Sequence, residues 1–468
     1  MKLSQFAGIM AVILTFLILK LFLTGFSSAL WWDSAVYIGM GKSIFSNGSI
    51  GFFEDARPLA LPLILGFLWW IGLDIVWFGS IMMLIFSVAS ILLTYLIARR
   101  VFGNFPGLVA ALMLATYPPF IAYSTIINAD LPGGFFILTS IYLLLRQKNT
   151  FAGFFLALAI LTKFTSIVAV PAILFCMLLS QENVFKKLAN FFLGFLMLLL
   201  PYSIFSLISY GDLIAPLIKA HNLITNVAGN FSCPTSPGFY LASIAGGSIL
   251  SALFFVGIIK KPFSYLRKKE WKSTLILLIG LAPFIYLTFF LNCKDARYSL
   301  LFIPYTFMFS SLGLHKILKR IKGKNIKIAI LVFAFLLQIT VSTKILSSEY
   351  KWLDYNDKNE AFYKFMHGKS IKGKIWSSDP FVSAFHDVKT DELMYYPVLD
   401  NNKIDHLLSS INSEVEYIFI NTCDIQCVSG SYCESGKEEL FDLLRSKFFV
   451  YKYEKYNGCE RLAFIWKR

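Results

Sequence analysis

The run from Phe6 to Leu30 is apolar over a length that crosses a bilayer, and it is the first of several such runs in the chain. About 18 or more consecutive apolar residues cannot be buried in a small water-soluble core, and a chain with many such runs must fold within a membrane. The composition agrees: 57% of the 468 residues are hydrophobic and the mean hydropathy is +0.65. The first run is too long for the core of a signal peptide and further runs follow, so it reads as an uncleaved first transmembrane helix.

Eleven spans are expected, at roughly 5–30, 76–98, 106–126, 131–146, 151–165, 167–180, 189–209, 240–259, 273–291, 298–315 and 326–346. A formal charge of +15 suggests a nucleic-acid partner until its distribution is read. Residues 1–345 hold 27 Lys and Arg against 9 Asp and Glu; residues 346–468 hold 16 against 19. The excess sits in the membrane part, in loops such as Arg99-Arg100, Lys186-Lys187, 260–272 and 315–327, which marks their side as cytoplasmic. No nucleic-acid partner is expected. Most of the nine acids of the membrane part, among them Asp33, Glu54, Asp55, Asp130, Asp212 and Asp295, collect in the opposite loops.

Segment 151–180 reads as a hairpin with Lys163 near the outer face, because one continuous helix would reverse the charge bias of every later loop. Residues 31–75 form a long outer loop with two interfacial helices, one in "AVYIGMGKSIF" and one in "RPLALPLILGFLWW", where Trp rings suit the headgroup layer. The expected architecture is a polytopic α-helical membrane domain over 1–345 followed by a small α/β domain over 346–468, extracytoplasmic by parity. "GKIWSSDPFVSAF", "EVEYIFINTCD" and "ERLAFIWKR" read as short strands or strand starts of that domain, and "GKEELFDLLRSKF" as a helix. Localisation is a cell membrane, multi-pass.

The tail holds Cys423, Cys427, Cys433 and Cys459. Two disulfides suit an extracytoplasmic domain; a four-thiolate zinc site and free thiols are the other readings. Cys233 and Cys293 lie in outer loops and form a further candidate pair, while Cys176 lies inside a helix and reads as packing.

Ionisable residues at a membrane edge are costly and call for a reason. Asp33 and Asp130 each stand at a helix start, where capping is the plain alternative. Arg57 precedes Pro58 and suits an interfacial anchor; Lys163 suits a snorkelling lysine; Arg297 could pair with Asp295. Taken together, two carboxylates and three cations on one membrane face suit a lipid phosphate, with a carboxylate near enough to deprotonate an acceptor hydroxyl.

The order of the pieces "DSAVYIGMGKSI", "RPLALPLILGFLW", "LLTYLIARRVFG", "YSTIINADLPGGFF", "LALAILTKFTSIVAVPAIL" and "ARYSLLFIPYTFMF" resembles the GT-C superfamily of membrane glycosyltransferases over 1–345. It looks closest to the branch holding the protein mannosyltransferases and the lipid A aminoarabinose transferase. The resemblance implies an inverting transfer of a sugar from a dolichyl- or undecaprenyl-phosphate carrier to a protein, lipid or glycan acceptor at the outer face. Membrane lipids are the surrounding partner. It casts Asp33 as catalytic base and Asp130 as the second catalytic aspartate. Arg57, Lys163 and Arg297 become ligands of the donor phosphate.

Two departures stand out. Ala56 occupies the place before the Arg-Pro where relatives often carry an acid, and Ser34 follows Asp33 where Glu is common. The metal is therefore unknown: no cofactor is firmly implied and a divalent ion stays open. The "WWD" of residues 31–33 is misplaced for the outer-domain motif of oligosaccharyltransferases, so that activity is not expected. The alternative from another class is a non-catalytic transporter or flippase of a lipid-linked glycan. An acyltransferase would call for an intramembrane His base, and the five histidines lie in loops or the tail.

Overall fold

A computed structural model describes the chain except residues 1–2, 27–29, 181–182, 228–233, 260–269, 350–355, 370, 398, 428–432, 457 and 468. The basic loop 260–272 and Cys233 thus lie largely or wholly outside the described residues. The helices, in chain order, are α1 (Leu3–Thr24), α2 (Trp32–Phe45), α3 (Ala60–Trp70), α4 (Ile75–Phe102), α5 (Asn104–Ala115), α6 (Pro118–Tyr123), α7 (Asp130–Leu145), α8 (Asn149–Thr162), α9 (Ala169–Leu179) and α10 (Val184–Tyr210). They continue as α11 (Ala215–Asn222), α12 (Phe239–Gly247), α13 (Leu253–Ile258), α14 (Trp271–Phe289), α15 (Ile303–Arg320), α16 (Lys324–Glu349), α17 (Asn356–Tyr363), α18 (Phe381–Phe385), α19 (Asn401–Ser410) and α20 (Cys433–Lys447).

Packing divides the chain into two units. The first joins Met1–Ser28, Ser80–Ala215 and Pro234–Asp354. It is helical, but the eleven expected spans are not eleven full-length helices: 106–126 is divided between α5 and α6, and 240–259 between α12 and α13. Among the described residues five helices, α1, α4, α10, α14 and α16, are long and apolar enough to cross a membrane, so the chain is a multi-pass membrane protein. The stretch Phe239–Ile258 is a bent pair with a 119° angle at Ser248. The remaining apolar helices are shorter. Between α8 and α9 no single helix forms: Lys163 adopts extended backbone (φ −145°, ψ 110°), followed by a 3₁₀ turn, Phe164–Val168.

The second unit joins Ala29–Gly79, Pro216–Cys233 and Tyr355–Arg468. The sequence reading counts 31–75 with the membrane segments, whereas packing groups this loop with the tail. The reason is visible along α2, where Ser34 to Lys42 are all buried. A helix buried on every side needs neighbours all round. One neighbour is α3, reached at Gly41 and Gly66, where a Cβ on either would collide with the other helix's backbone. Another is α18, whose last carbonyls (Ser383 and Ala384) accept hydrogen bonds from Lys42 Nζ at 3.0 and 3.1 Å. The loop also pairs with the tail as backbone: Gly51 N donates to Val388 O and Thr390 N to Gly51 O.

The tail carries a five-stranded mixed sheet of β1 (Lys374–Ser377), β2 (Glu392–Leu393), β3 (Val415–Asn421), β4 (Phe448–Tyr456) and β5 (Cys459–Trp466), in the order β2-β1-β3-β5-β4. β1 runs parallel to β2 and β3, while β5 is antiparallel to β3 and β4. Central β3 reads "VEYIFIN", nearly continuous in apolar residues, as a strand covered on both faces must. Leu440 and Leu444 of α20 pack with Ile418, Ile420 and Phe464 to form its core. Asp400 caps α19 by accepting from Lys403 N. The stretches expected as strands hold β1, β3 and β5, although the second half of "GKIWSSDPFVSAF" forms α18, and the expected helix is α20. The tail cysteines form Cys423–Cys459 and Cys427–Cys433. Cys293 is also disulfide-bonded, and Cys176 is a buried free thiol.

Candidate functional site

The five residues singled out from sequence fall into two clusters, one in each unit. In the membrane unit Asp130 opens α7 and is only 1% exposed. The helix start is capped by Asn128, whose Oδ1 accepts from the backbone N–H of Asp130 and Leu131 at 3.0 and 3.1 Å. This leaves the Asp130 carboxylate for other work. Lys163 Nζ stands 3.0 Å from its Oδ1, and Arg297 Nε 3.8 Å from its Oδ2.

Local chain geometry brings these three together. Gly133 carries no side chain where Lys163 Cβ approaches, and Gly134 none where the Leu300 carbonyl does. The break at Lys163 turns its side chain out of the α8 ladder. Arg297 lies in the 3₁₀ turn Ala296–Leu301, capped by Asp295, which accepts from Arg297 N and lies 3.4 Å from Arg297 Nε. Tyr298 offers its ring to both cations, 4.7 Å from Lys163 Nζ and 5.0 Å from the Arg297 guanidinium carbon. The buried Asp130 and the partly exposed Asp295 thus hold two cations, a balanced set in which the ammonium and guanidinium are suited to bind phosphate oxygens.

The second cluster lies in the second unit. Asp33 sits in the first turn of α2, one position inside the helix; the N-cap residue is Trp31 and caps with no side chain. An acid here is favoured by the helix dipole. Its Oδ1 lies 2.9 Å from Arg57 Nη1. Arg57 Nε meets Glu54 Oε2 at 3.1 Å, and Tyr395 donates to Glu54 Oε1 at 2.6 Å. Burial raises the Glu54 carboxyl above its usual range, against the pull of Arg57 and of the Tyr395 hydrogen bond. Burial also works against the Arg57 charge, but Asp33 and Glu54 outweigh it and its pKa rises further.

Neighbouring Asp55 accepts from Tyr396 and pairs with Lys219. Trp32 stands edge-on to Tyr395, with ring centroids 4.7 Å apart. Glu54 therefore takes up the acidic position beside Arg57 that Ala56 leaves empty in sequence. Asn128, Tyr298, Tyr395, Tyr396, Lys219 and Lys42 escaped the sequence reading. Only the position of Asn128 two residues before Asp130, and that of Tyr298 next to Arg297, carried a local signal.

Among the described residues no group of three or more His, Cys, Asp or Glu side chains is placed to hold a metal ion. Asp33 and Glu54 share Arg57, and Asp55 is engaged by Tyr396 and Lys219. These donors do not fit a resident divalent ion, and no chemical step is routed through one.

The chain shares its fold with a solved oligosaccharyltransferase, a solved arabinofuranosyltransferase and ArnT. The resemblance drawn from the ordered motifs holds. Residues 56–207 match the family model of dolichyl-phosphate-mannose-protein mannosyltransferase. The chain is similar to ArnT from Cupriavidus metallidurans bound to undecaprenyl phosphate, with TM-score 0.66 and 11% identity over 97% of each chain. It is also similar to the oligosaccharyltransferase AglB from Archaeoglobus fulgidus, in complex with an inhibitory peptide and a dolichol-phosphate (TM-score 0.64, 12% identity, 98% of this chain and 74% of AglB). The mycobacterial arabinofuranosyltransferase AftD matches at TM-score 0.52 and 10% identity, over 98% of this chain and 40% of AftD. No curated protein sequence matches the chain.

Proposed function

We propose that this protein is a glycosyltransferase that moves a sugar from a polyprenyl-phosphate carrier, dolichyl or undecaprenyl, to a hydroxyl of a protein, lipid or glycan acceptor at the outer membrane face. The observation that carries this reading is the buried Asp130 held between Lys163 and Arg297 in a fold whose solved members bind undecaprenyl phosphate and dolichol-phosphate. Buried cations of this kind favour an anionic partner as its charge develops, which is what departure of a carrier phosphate requires.

Phosphate binding is proposed for Lys163 and Arg297 in the membrane unit and for Arg57 in the second unit. Arg57 has five N–H donors and uses Nε and Nη1 on Glu54 and Asp33, so it keeps donors for an incoming oxygen. Asp33 is proposed as the base that takes the acceptor proton, and Asp130 as a second catalytic acid that orients both cations. Inversion needs a single displacement and one base, unlike the two carboxylates of glycoside hydrolysis. The tail 346–468 is proposed to lie outside the membrane and to shape acceptor access.

The test is twofold. Mass spectrometry of lipids bound to the purified protein should detect a polyprenyl phosphate, and a polyprenyl-phosphate sugar should be consumed with release of the carrier phosphate. Carrier movement across proteoliposomes without sugar transfer would overturn the reading in favour of a transporter.

A further inference from the structure

The second unit contains a cavity of about 940 Å³ at the amino ends of β1 and β3. Its wall alternates cations and acids. Lys374 pairs with Glu414 at 2.6 Å and Lys389 with Asp391 at 3.0 Å. Glu416 accepts the backbone N–H of Lys372 and Gly373 at 2.9 and 2.7 Å. Asp387, on the same wall, is 57% exposed and pairs with Lys42. Lys369 is held by aromatic rings, its Nζ 4.4 Å from the Tyr451 centroid and 4.9 Å from that of Phe365. Trp466 adds a partly exposed indole, fixed edge-on against Phe448.

We infer that this cavity binds a neutral carbohydrate chain and serves as a remote subsite for a glycan acceptor. Four lysines (369, 372, 374 and 389) face four acids (387, 391, 414 and 416), so the lining favours neither a polyanion nor a polycation. A hydroxyl both donates and accepts, so a polyol can use carboxylate and ammonium partners side by side; an anion or a cation can use only half of them. Each carboxylate has about four acceptor sites, so those already paired on the wall keep capacity for hydroxyls. The indole supplies the apolar body and N–H that a sugar ring can lie against. The volume falls within the usual range for a ligand pocket, about 300–1,000 Å³.

The cavity does not hold the reacting hydroxyl. Asp33 and Lys42 lie nine residues apart on α2, roughly 14 Å at about 1.5 Å per residue, and Asp387 of the cavity wall pairs with Lys42. A glycan anchored there would reach Asp33 only if it were several sugars long. Binding energy gained away from the reacting centre then favours long acceptors over short ones. This assignment rests on the proposed glycosyl transfer only for the word acceptor; the binding itself stands apart from it.

The experiment titrates the full chain in nanodiscs with maltose, maltoheptaose, mannobiose and mannohexaose, and with a heparin hexasaccharide and a Ser/Thr-rich peptide for comparison. The longer neutral sugars are expected to bind. Trp466→Ala should weaken them at least about tenfold and Lys372→Ala several-fold; Lys372 is exposed and its truncation leaves the fold intact. Donor consumption with a short soluble acceptor should be unchanged in Lys372→Ala. The inference is overturned if no neutral oligosaccharide binds, if heparin or the peptide binds more tightly, or if Lys372→Ala and Trp466→Ala both leave affinity intact. Oligosaccharide binding without any donor consumption would reject the proposed transfer and keep the cavity.

Discussion

Replacement of Asp33 by Asn separates proton transfer from every other duty of that side chain. Asn has the same shape, and its Oδ1 can still accept from Arg57 Nη1, which lies 2.9 Å away. Arg57 also keeps Glu54 at 3.1 Å, so the cation remains anchored and the fold of α2, whose N-cap is Trp31, is untouched. What is lost is the basic lone pair. General-base catalysis contributes roughly 10²–10⁴-fold, equivalent to about 3–5 kcal/mol at 1.36 kcal/mol per tenfold. The expected result is a drop of that size in turnover, with donor-lipid affinity within about threefold of the parent. Turnover is read as released polyprenyl phosphate under saturating donor; affinity is read by lipid titration in detergent. Transfer at the parent rate would refute the role of Asp33. A fall in donor affinity as large as the fall in turnover would show that the residue acts through Arg57 and not as a base.

Lys163→Ala and Arg297→Ala should each weaken donor binding by roughly 10–100-fold, since hydrogen bonds to charged groups contribute about 1.5–3 kcal/mol; an unchanged donor KM in both would exclude them as phosphate ligands. Loss of Cys423–Cys459, whose partners are 36 residues apart, should destabilise the tail by about 4 kcal/mol, and loss of Cys427–Cys433, 6 apart, by about 2 kcal/mol, read by denaturant unfolding. Equal effects would contradict the chain-entropy account. Asp424 is pushed up to about 8, by burial first and by the Asp379 charge second. The folded state therefore holds a proton that the unfolded state has released above about pH 4. Tail stability should fall as pH rises from about 4 to 8, and Asp424→Asn should flatten that slope in thermal melts; a rising slope would contradict it. Cysteines placed in 315–327 should resist impermeant thiol reagents in intact cells while cysteines on the tail surface react, and labelling of both from one side would refute the assigned orientation.

Much of the fold was legible because membrane helices announce themselves by length and apolarity. The long spans α4, α14 and α16 lie close to where apolarity put them, and the break at Lys163 was expected from the shortness of the pieces around it and from charge bias; the divisions within 106–126 and 240–259 left no such mark. Strand β4, "FFVYKYEKY", was not expected; it opens on three consecutive apolar residues and alternates only over Tyr451-Lys452-Tyr453-Glu454. The clusters were only half legible. Asp130, Lys163 and Arg297 lie far apart in sequence, and their meeting depends on Gly133 and Gly134, which read simply as small residues. The partners of Glu54 and Asp55 are Tyr395 and Tyr396, more than 300 residues away. No periodicity links such positions; only the folded backbone does.

That distance also sets an order of events during synthesis. Segment 29–79 leaves the ribosome long before 355–468, yet both belong to one packed unit. Until the later segment has been made, α2 lacks α18, Gly51 lacks its backbone partners at Val388 and Thr390, and Glu54 lacks Tyr395. A nascent or prematurely terminated chain can insert its helices in the bilayer but cannot complete the surroundings of Arg57. The membrane helices are synthesised before the Arg57 cluster can close, so an unfinished product would sit in the membrane without a formed Asp33 environment.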